Sequence, residues 1–203
     1  MPAGPADPER FERAVAAIDA ANADDPNRIS VRGKEAPKEL AHAELVTGWI
    51  ERLRPDAPEE LLLAARAHHV RRWEIPRGSY PDGRSGYLRW RRALHDLHAR
   101  VVGELLAAAG YDREAIARVQ AIVRKRGLPG DADVQALEDA LCLVFLETQF
   151  GALAARLDAE KMDAVVAKTV AKMSADGLRL ARTLDLGGNE RAALERAVRP
   201  PGG

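Results

Sequence analysis

At 203 residues the chain is long enough for one domain with a real core, and 46% hydrophobic against 31% charged residues is an ordinary globular composition. Its 31 basic and 31 acidic side chains cancel, which excludes a global electrostatic pull toward nucleic acid or an anionic membrane. One cysteine, Cys142, excludes an internal disulfide framework, and with no export signal or apolar span in view a cytoplasmic protein is expected.

Apolar periodicity punctuated by Pro and Gly predicts an all-α, single-domain helical bundle of about seven helices. They fall near residues 8–22, 37–54, 57–74, 86–109, 112–126, 132–155 and 158–174, with a weaker one at 190–198. Asp7, Asp56 and Asp112 stand where N-caps belong, and Gly110 and Gly127 where helices stop. The domain is expected over 8–186, after a disordered 1–7 and before a tail at 187–203 whose last residues, 199–203, are disordered. Only Ile29-Ser30-Val31 reads as extended, inside the long polar stretch 23–36. A second irregular segment, 75–86, is rich in Gly, Pro and Arg, and long loops of this kind tend to border sites.

All five histidines, His42, His68, His69, His95 and His98, lie within one 57-residue window. His42 shares a helical face with Leu45, Val46, Trp49 and Leu53. His68 and His69 each continue an apolar row one heptad after Leu61 and Leu62, and His98 shares its face with Leu94, Val101, Val102 and Leu105. Far downstream, Asp139 points with Leu143, Leu146 and Phe150, where a carboxylate costs several kcal/mol unless something meets it. A single buried histidine is ordinarily a hydrogen-bonded core residue. The convergence of several with one inward acid favours a buried site.

The order of these residues resembles the HD-domain superfamily of all-helical metal-dependent phosphohydrolases, carried by LLLAARAHHVRRWE and QALEDALCLVFLE. The resemblance implies a metal held by His42, His68, His69 and Asp139, with His98 following, and Lys125 standing where relatives with two metals place another histidine. His69 replaces the dyad's aspartate, so a single ion is expected rather than a pair. Imidazole and carboxylate suit a divalent transition metal such as Zn, Mn, Fe, Co or Ni. Over about residues 9–180, the strings RWEIPRGSYPDGRSGYLRWR, LEDALCLVFLE and KTVAKMS are similar to the family called domain of unknown function 4202. Lys172-Met173-Ser174 resembles part of a synthetase loop, but no nucleotide-binding strand pattern accompanies it, and a synthetase is rejected.

Eight arginines lie between residues 71 and 100, interleaved with Trp73, Tyr80, Tyr87 and Trp90. Guanidinium forks match phosphate, and aromatic faces hold planar groups. Arg71, Arg72 and Arg77, with His98 and Lys125, are the candidate contacts for a small anionic ligand such as a nucleotide. Arg89, Arg91 and Arg92 read as a solvated face. Glu74 is the candidate general acid or base, one turn past His69, although a salt bridge to Arg77 explains it equally well. Cys142 reads as packing.

The function expected is a metal-dependent hydrolase acting on a small phosphate ester or nucleotide. The alternative is a non-catalytic HD-like module that binds an anionic ligand or a protein partner, its His/Asp cluster purely structural. RNA binding is disfavoured by the zero net charge, and a homodimer is permitted by apolar excess on several helices.

Overall fold

The computed structural model describes residues 5–31, 33–154 and 156–199. It is an all-α domain with one short hairpin: α1 (Pro8–Ala23), β1 (Arg28–Val31), β2 (Lys34–Pro37), α2 (Lys38–Leu53), α3 (Glu59–Ala67), α4 (Gly83–Ala108), α5 (Arg113–Val123), α6 (Ala132–Thr148), α7 (Phe150–Ala154), α8 (Ala159–Val170), α9 (Ala175–Ala181) and α10 (Gly188–Val198). The stretch read as a polar loop is in part an antiparallel hairpin, with Arg28 opposite Pro37 and Val31 opposite Lys34.

Caps and stops account for most boundaries. Asp7 and Asp112 accept from Arg10 N and Ala115 N, and Gly110 and Gly127 take the left-handed conformation that only glycine adopts without strain. Asp56 does not cap: its carboxylate accepts from Arg54 Nε at 3.1 Å, and α3 starts beyond Pro58. The predicted helix 57–74 ends at Ala67. His68 turns its ring back onto Ala65 O, and Arg71 adopts a left-handed φ of 55°. Helix 132–155 breaks after Thr148, and the expected 158–174 helix stops at Val170, with α9 following as a separate element.

Contacts reach into both flanks. Residues 1–4 and 200–203 lie outside the described part, but Ala6 N donates to Glu59 Oε2 at 3.2 Å. Helix α10 packs on α8 and buries Ala193 and Leu194, and Arg196 pairs with Asp163 at 2.6 Å, so the domain extends past residue 186. Arg191 adds hydrogen bonds to Arg182 O and Leu184 O, so the helix whose sequence alone looks weak is held by its neighbours.

The centre is α3. Leu61, Leu63, Ala64, Ala65 and Ala67 are fully buried, because α1, α2, α5 and α6 surround it. Helix α2 lies against α6, and α4 lies against α5. The α4–α5 approach needs Gly103, where a Cβ would sit 2.3 Å from Gln120 Nε2, the group that donates to Ala99 O across the interface. Packing around α3 brings the C-terminal end of α3, the N-terminal half of α2 and the inner face of α4 to one place.

Candidate histidine-lined site

All five histidines line a single cavity of about 490 Å³. The clustering expected from the sequence is therefore real, but its carboxylate is Glu39 rather than Asp139. Glu39, His42 and His69 each offer a ligand atom, and these atoms lie within 4.8 Å of one another. His69 Nδ1 is 3.1 Å and His42 Nδ1 3.9 Å from Glu39 Oε2. Glu39 opens α2 one turn before His42 and so shares its face. Pro37 gives that helix no side-chain cap. Asp25, buried at the base of the hairpin, does so from a distance, its Oδ2 accepting from Glu39 N at 3.0 Å while Oδ1 holds Asn27.

His68 and His98 present a different arrangement. His68 donates Nδ1–H to Ala65 O at 2.8 Å, and His98 donates Nδ1–H to Val70 O at 2.8 Å. Both rings are buried, at 5% and 1% exposure, and in both the Nε2 atom is left without a hydrogen-bond partner. A backbone carbonyl that fixes the Nδ1–H tautomer leaves the Nε2 lone pair bare, which is how a protein prepares an imidazole to ligate a metal. The rings are close, with centroids 4.2 Å apart for His68–His69 and 5.7 Å for His69–His98.

Burial is the main cause that lowers the pKa of every one of these groups. His68 and His69 lie well below the ordinary value, with His69 and Arg72 respectively as the next cause. His42 is lowered despite Glu39. His95 and His98 are brought down to about 4, His95 by burial and then Arg91. The imidazoles are therefore neutral near pH 7, as ligation requires. An unfolded histidine takes up a proton below its ordinary 6.5 while these wait until about 4, so their contribution to stability is complete above 6.5 and shrinks as pH falls from there toward 4. Imidazole NMR is expected to show His98 still neutral, with the proton on Nδ1, at pH 5.5. A His98 ring that titrates near 6.5 would remove the buried lone pair from the site.

Arg72 already supplies a cation there. Its Nη1 is 3.2 Å from His69 Nε2, its Nε is 3.9 Å from Glu39 Oε1, and its guanidinium lies 5.0 Å above the Trp90 ring. Lys125 also reaches the cavity, as expected, and is paired with Glu138. Burial lowers the Lys125 pKa against the pull of Glu138. Burial would raise that of Glu138, but Lys125 and Lys172 outweigh it and hold the carboxylate ionised.

Four expected site residues lie elsewhere. Asp139 is 2% exposed, but its carboxylate accepts from Ser174 N at 2.8 Å, Ser174 Oγ at 2.5 Å and Gln135 Nε2 at 3.0 Å, which pins the start of α9 to α6. Gly177 permits this, because a Cβ there would meet Asp139 Cγ at 2.7 Å. Its neighbour Glu138, 100° round the same helix, is the acid that faces the cavity. Glu74 is exposed and sits 3.7 Å from Arg71, outside the cavity, so it is not placed as an acid or base. Arg71 serves that ion pair, and Arg77 donates to Tyr80 O and Pro81 O, bracing its own loop.

Residues that the periodicity did not single out complete the lining. Arg91, assigned to a solvated face, reaches His95 Nε2 and Tyr87 OH at 3.4 Å. Lys168 and Lys172 enter from α8 and the turn after it. Cys142 also lies on the wall, and burial raises its thiol to about 12, which leaves it a protonated packing group. Signals for Glu39 and Lys168 were present in the spacing: Glu39 is one turn from His42, and Lys168 and Lys172 are one turn apart.

Fold and site together define a class: an all-α domain with a buried, histidine-lined, cation-rich cavity. The chain belongs to the family described as domain of unknown function (DUF4202), whose model matches residues 12–194. No curated protein and no solved structure matches the chain. Among the described residues, no helix is long and apolar enough to cross a membrane.

Proposed function

We propose that the protein is a metal-dependent hydrolase acting on a small phosphate ester or nucleotide, with one divalent transition ion. The observation that carries this reading is the pair of buried, partnerless Nε2 atoms of His68 and His98, residues that line one cavity with His42 and His69, which cluster with Glu39. Buried polar atoms are almost always satisfied, so two such lone pairs on one cavity are best explained by a ligand that accepts electron pairs. The donor set fits: imidazoles and one carboxylate suit Zn, Mn, Fe, Co or Ni. Glu39, His42 and His69 would hold the ion, with His68 or His98 completing the set. Arg72 occupies a cationic position between Glu39 and His69 that the ion would take over. When bound, the metal supplies a Lewis acid and an activated water. The chain's own Arg72, Arg91 and lysines would bind and orient the anion, and the apolar wall would exclude bulk water.

One observation favours a second reading, an anion-binding module without catalysis. The sequence Glu39–His69–Arg72 forms a self-satisfied hydrogen-bonded chain, complete without a metal. Elemental analysis of protein purified without added metal, followed by phosphate release from phenyl phosphate and nucleotides with and without chelator, separates the two. The hydrolase reading expects about one ion per chain and release that the chelator abolishes. Protein that neither carries nor takes up an ion, and releases nothing, leaves only the module.

A further inference from the structure

Three residues of the KTVAKMS segment, Lys168, Thr169 and Lys172, line the same cavity as the histidines. The geometry points to Lys168 and Lys172 as an anion clamp that, with Arg91 and Lys125, selects a doubly charged phosphomonoester bearing an apolar body. This subsite rests on the phosphate-ester reading of the cavity and names the substrate class within it.

The charge balance comes first. The cavity is lined by Arg72, Arg91, Lys125, Lys168 and Lys172, and the acids that meet them are Glu138 and, beside Arg72, Glu39. Five cations against two carboxylates leave an excess of three. Arg91 directs its side-chain hydrogen bonds to Tyr87 OH and His95 Nε2, neither of them an acid. Lys168 in the last turn of α8 and Lys172 on the turn beyond it bring two ammonium groups to the same side of the cavity. A phosphomonoester carries about −1.5 to −2 charge at pH 7, which meets this excess better than a singly charged diester or sulfate ester does.

The wall also has its own support. Gln135 Nε2 donates to both Asp139 Oδ1 and Lys172 O, at 3.0 and 2.9 Å, and Asp139 grips Ser174 N. The turn that carries Lys172 is thus fastened to α6 at both ends, whereas a lysine that merely solubilises a surface needs no such anchoring. Lys172 reaches 3.7 Å from Glu138 Oε1, beside Lys125, so the three groups converge from three elements. Beyond them the lining turns apolar, through Val46, Leu141, Val144, Phe145 and Val165. At about 490 Å³ the space is that of a small-ligand site, too large for inorganic phosphate alone.

The test measures binding to the full chain by calorimetry, in chelator and again after metal loading. Phenyl phosphate, phenyl sulfate and glycerol 3-phosphate are the probes: the first two share a body and differ in charge, the first and third share a charge and differ in body. Phenyl phosphate is expected to bind about tenfold or more tighter than either. In Lys168→Met/Lys172→Met the preference over phenyl sulfate is expected to fall to about twofold, with the thermal midpoint retained because both side chains are exposed. Lys168→Met alone checks that the loss does not come from releasing Glu138. Equal binding of phosphate and sulfate esters, or full discrimination by the double variant, overturns the clamp. Discrimination in chelator with no hydrolysis under any metal would end the hydrolase reading and leave the clamp standing. Hydrolysis by a double variant that still discriminates would do the reverse.

Discussion

Asp139→Ala is expected to lower the thermal midpoint by about 6–20 °C while leaving metal content unchanged, as calorimetry and elemental analysis of the same preparation would show. The substitution removes an acceptor of three hydrogen bonds at a 2% exposed position. Ser174 N loses its partner, and Ser174 Oγ, which accepts from Gly177 N to cap α9, loses the group that orients it. Leaving buried donors facing a void costs about 3–5 kcal/mol. In a chain of this size each kcal/mol moves the midpoint by about 2–4 °C. Asp139→Asn keeps one acceptor and is expected to fall between the two. Loss of the ion at an unchanged midpoint would mean that Asp139 ligates and that the Ser174 contacts are incidental.

The second large effect is on metal affinity. Glu39→Gln and His42→Ala are each expected to weaken binding about 100-fold or more, measured by competition with a chromogenic chelator. Outer-shell groups of metal sites already contribute about 10–100-fold, and removal of a direct ligand exceeds that. Glu39→Gln is the cleaner variant. It preserves side-chain volume, and Asp25 still caps the backbone of residue 39, so the start of α2 stays in place. The variant removes the charge that faces His42, His69 and Arg72 together. An ion retained at wild-type affinity in both variants would exclude this cluster as its holder.

Much of the fold was legible because helical periodicity is a local property. The inward faces of His42, His68 and His98 follow from their spacing to Val46, Leu61 and Val102, and burial of all three agrees with it. Asp7 and Asp112 were readable as caps because capping involves only the next three residues. Asp56 does not cap because Pro58 moves the helix start, and α10 gives a weak signal because it is held by α8 rather than by its own sequence.

The site was legible in part for the same reason. Periodicity places Asp139 inside correctly, but it does not say which element lies opposite, and that element is the start of α9 with Ser174. Glu138, one residue earlier, faces the cavity instead. Beyond its spacing to His42, Glu39 carries no distinct signal because it stands in the first turn of α2, where an acid reads as a response to the helix dipole. Arg91 looked solvated because half of α4 is, and only the approach of Tyr87 and His95 on the same helix turns it inward.

The amino-acid order by itself determined an all-helical domain, the inward aim of the histidines and the wealth of cations around them, since each depends on residues within one turn or one heptad. Which acid meets the imidazoles, which basic groups close the space, and what holds Asp139 were decided only when separate helices packed. A helix encodes its buried face, but the chemistry on that face belongs to whatever comes to lie against it.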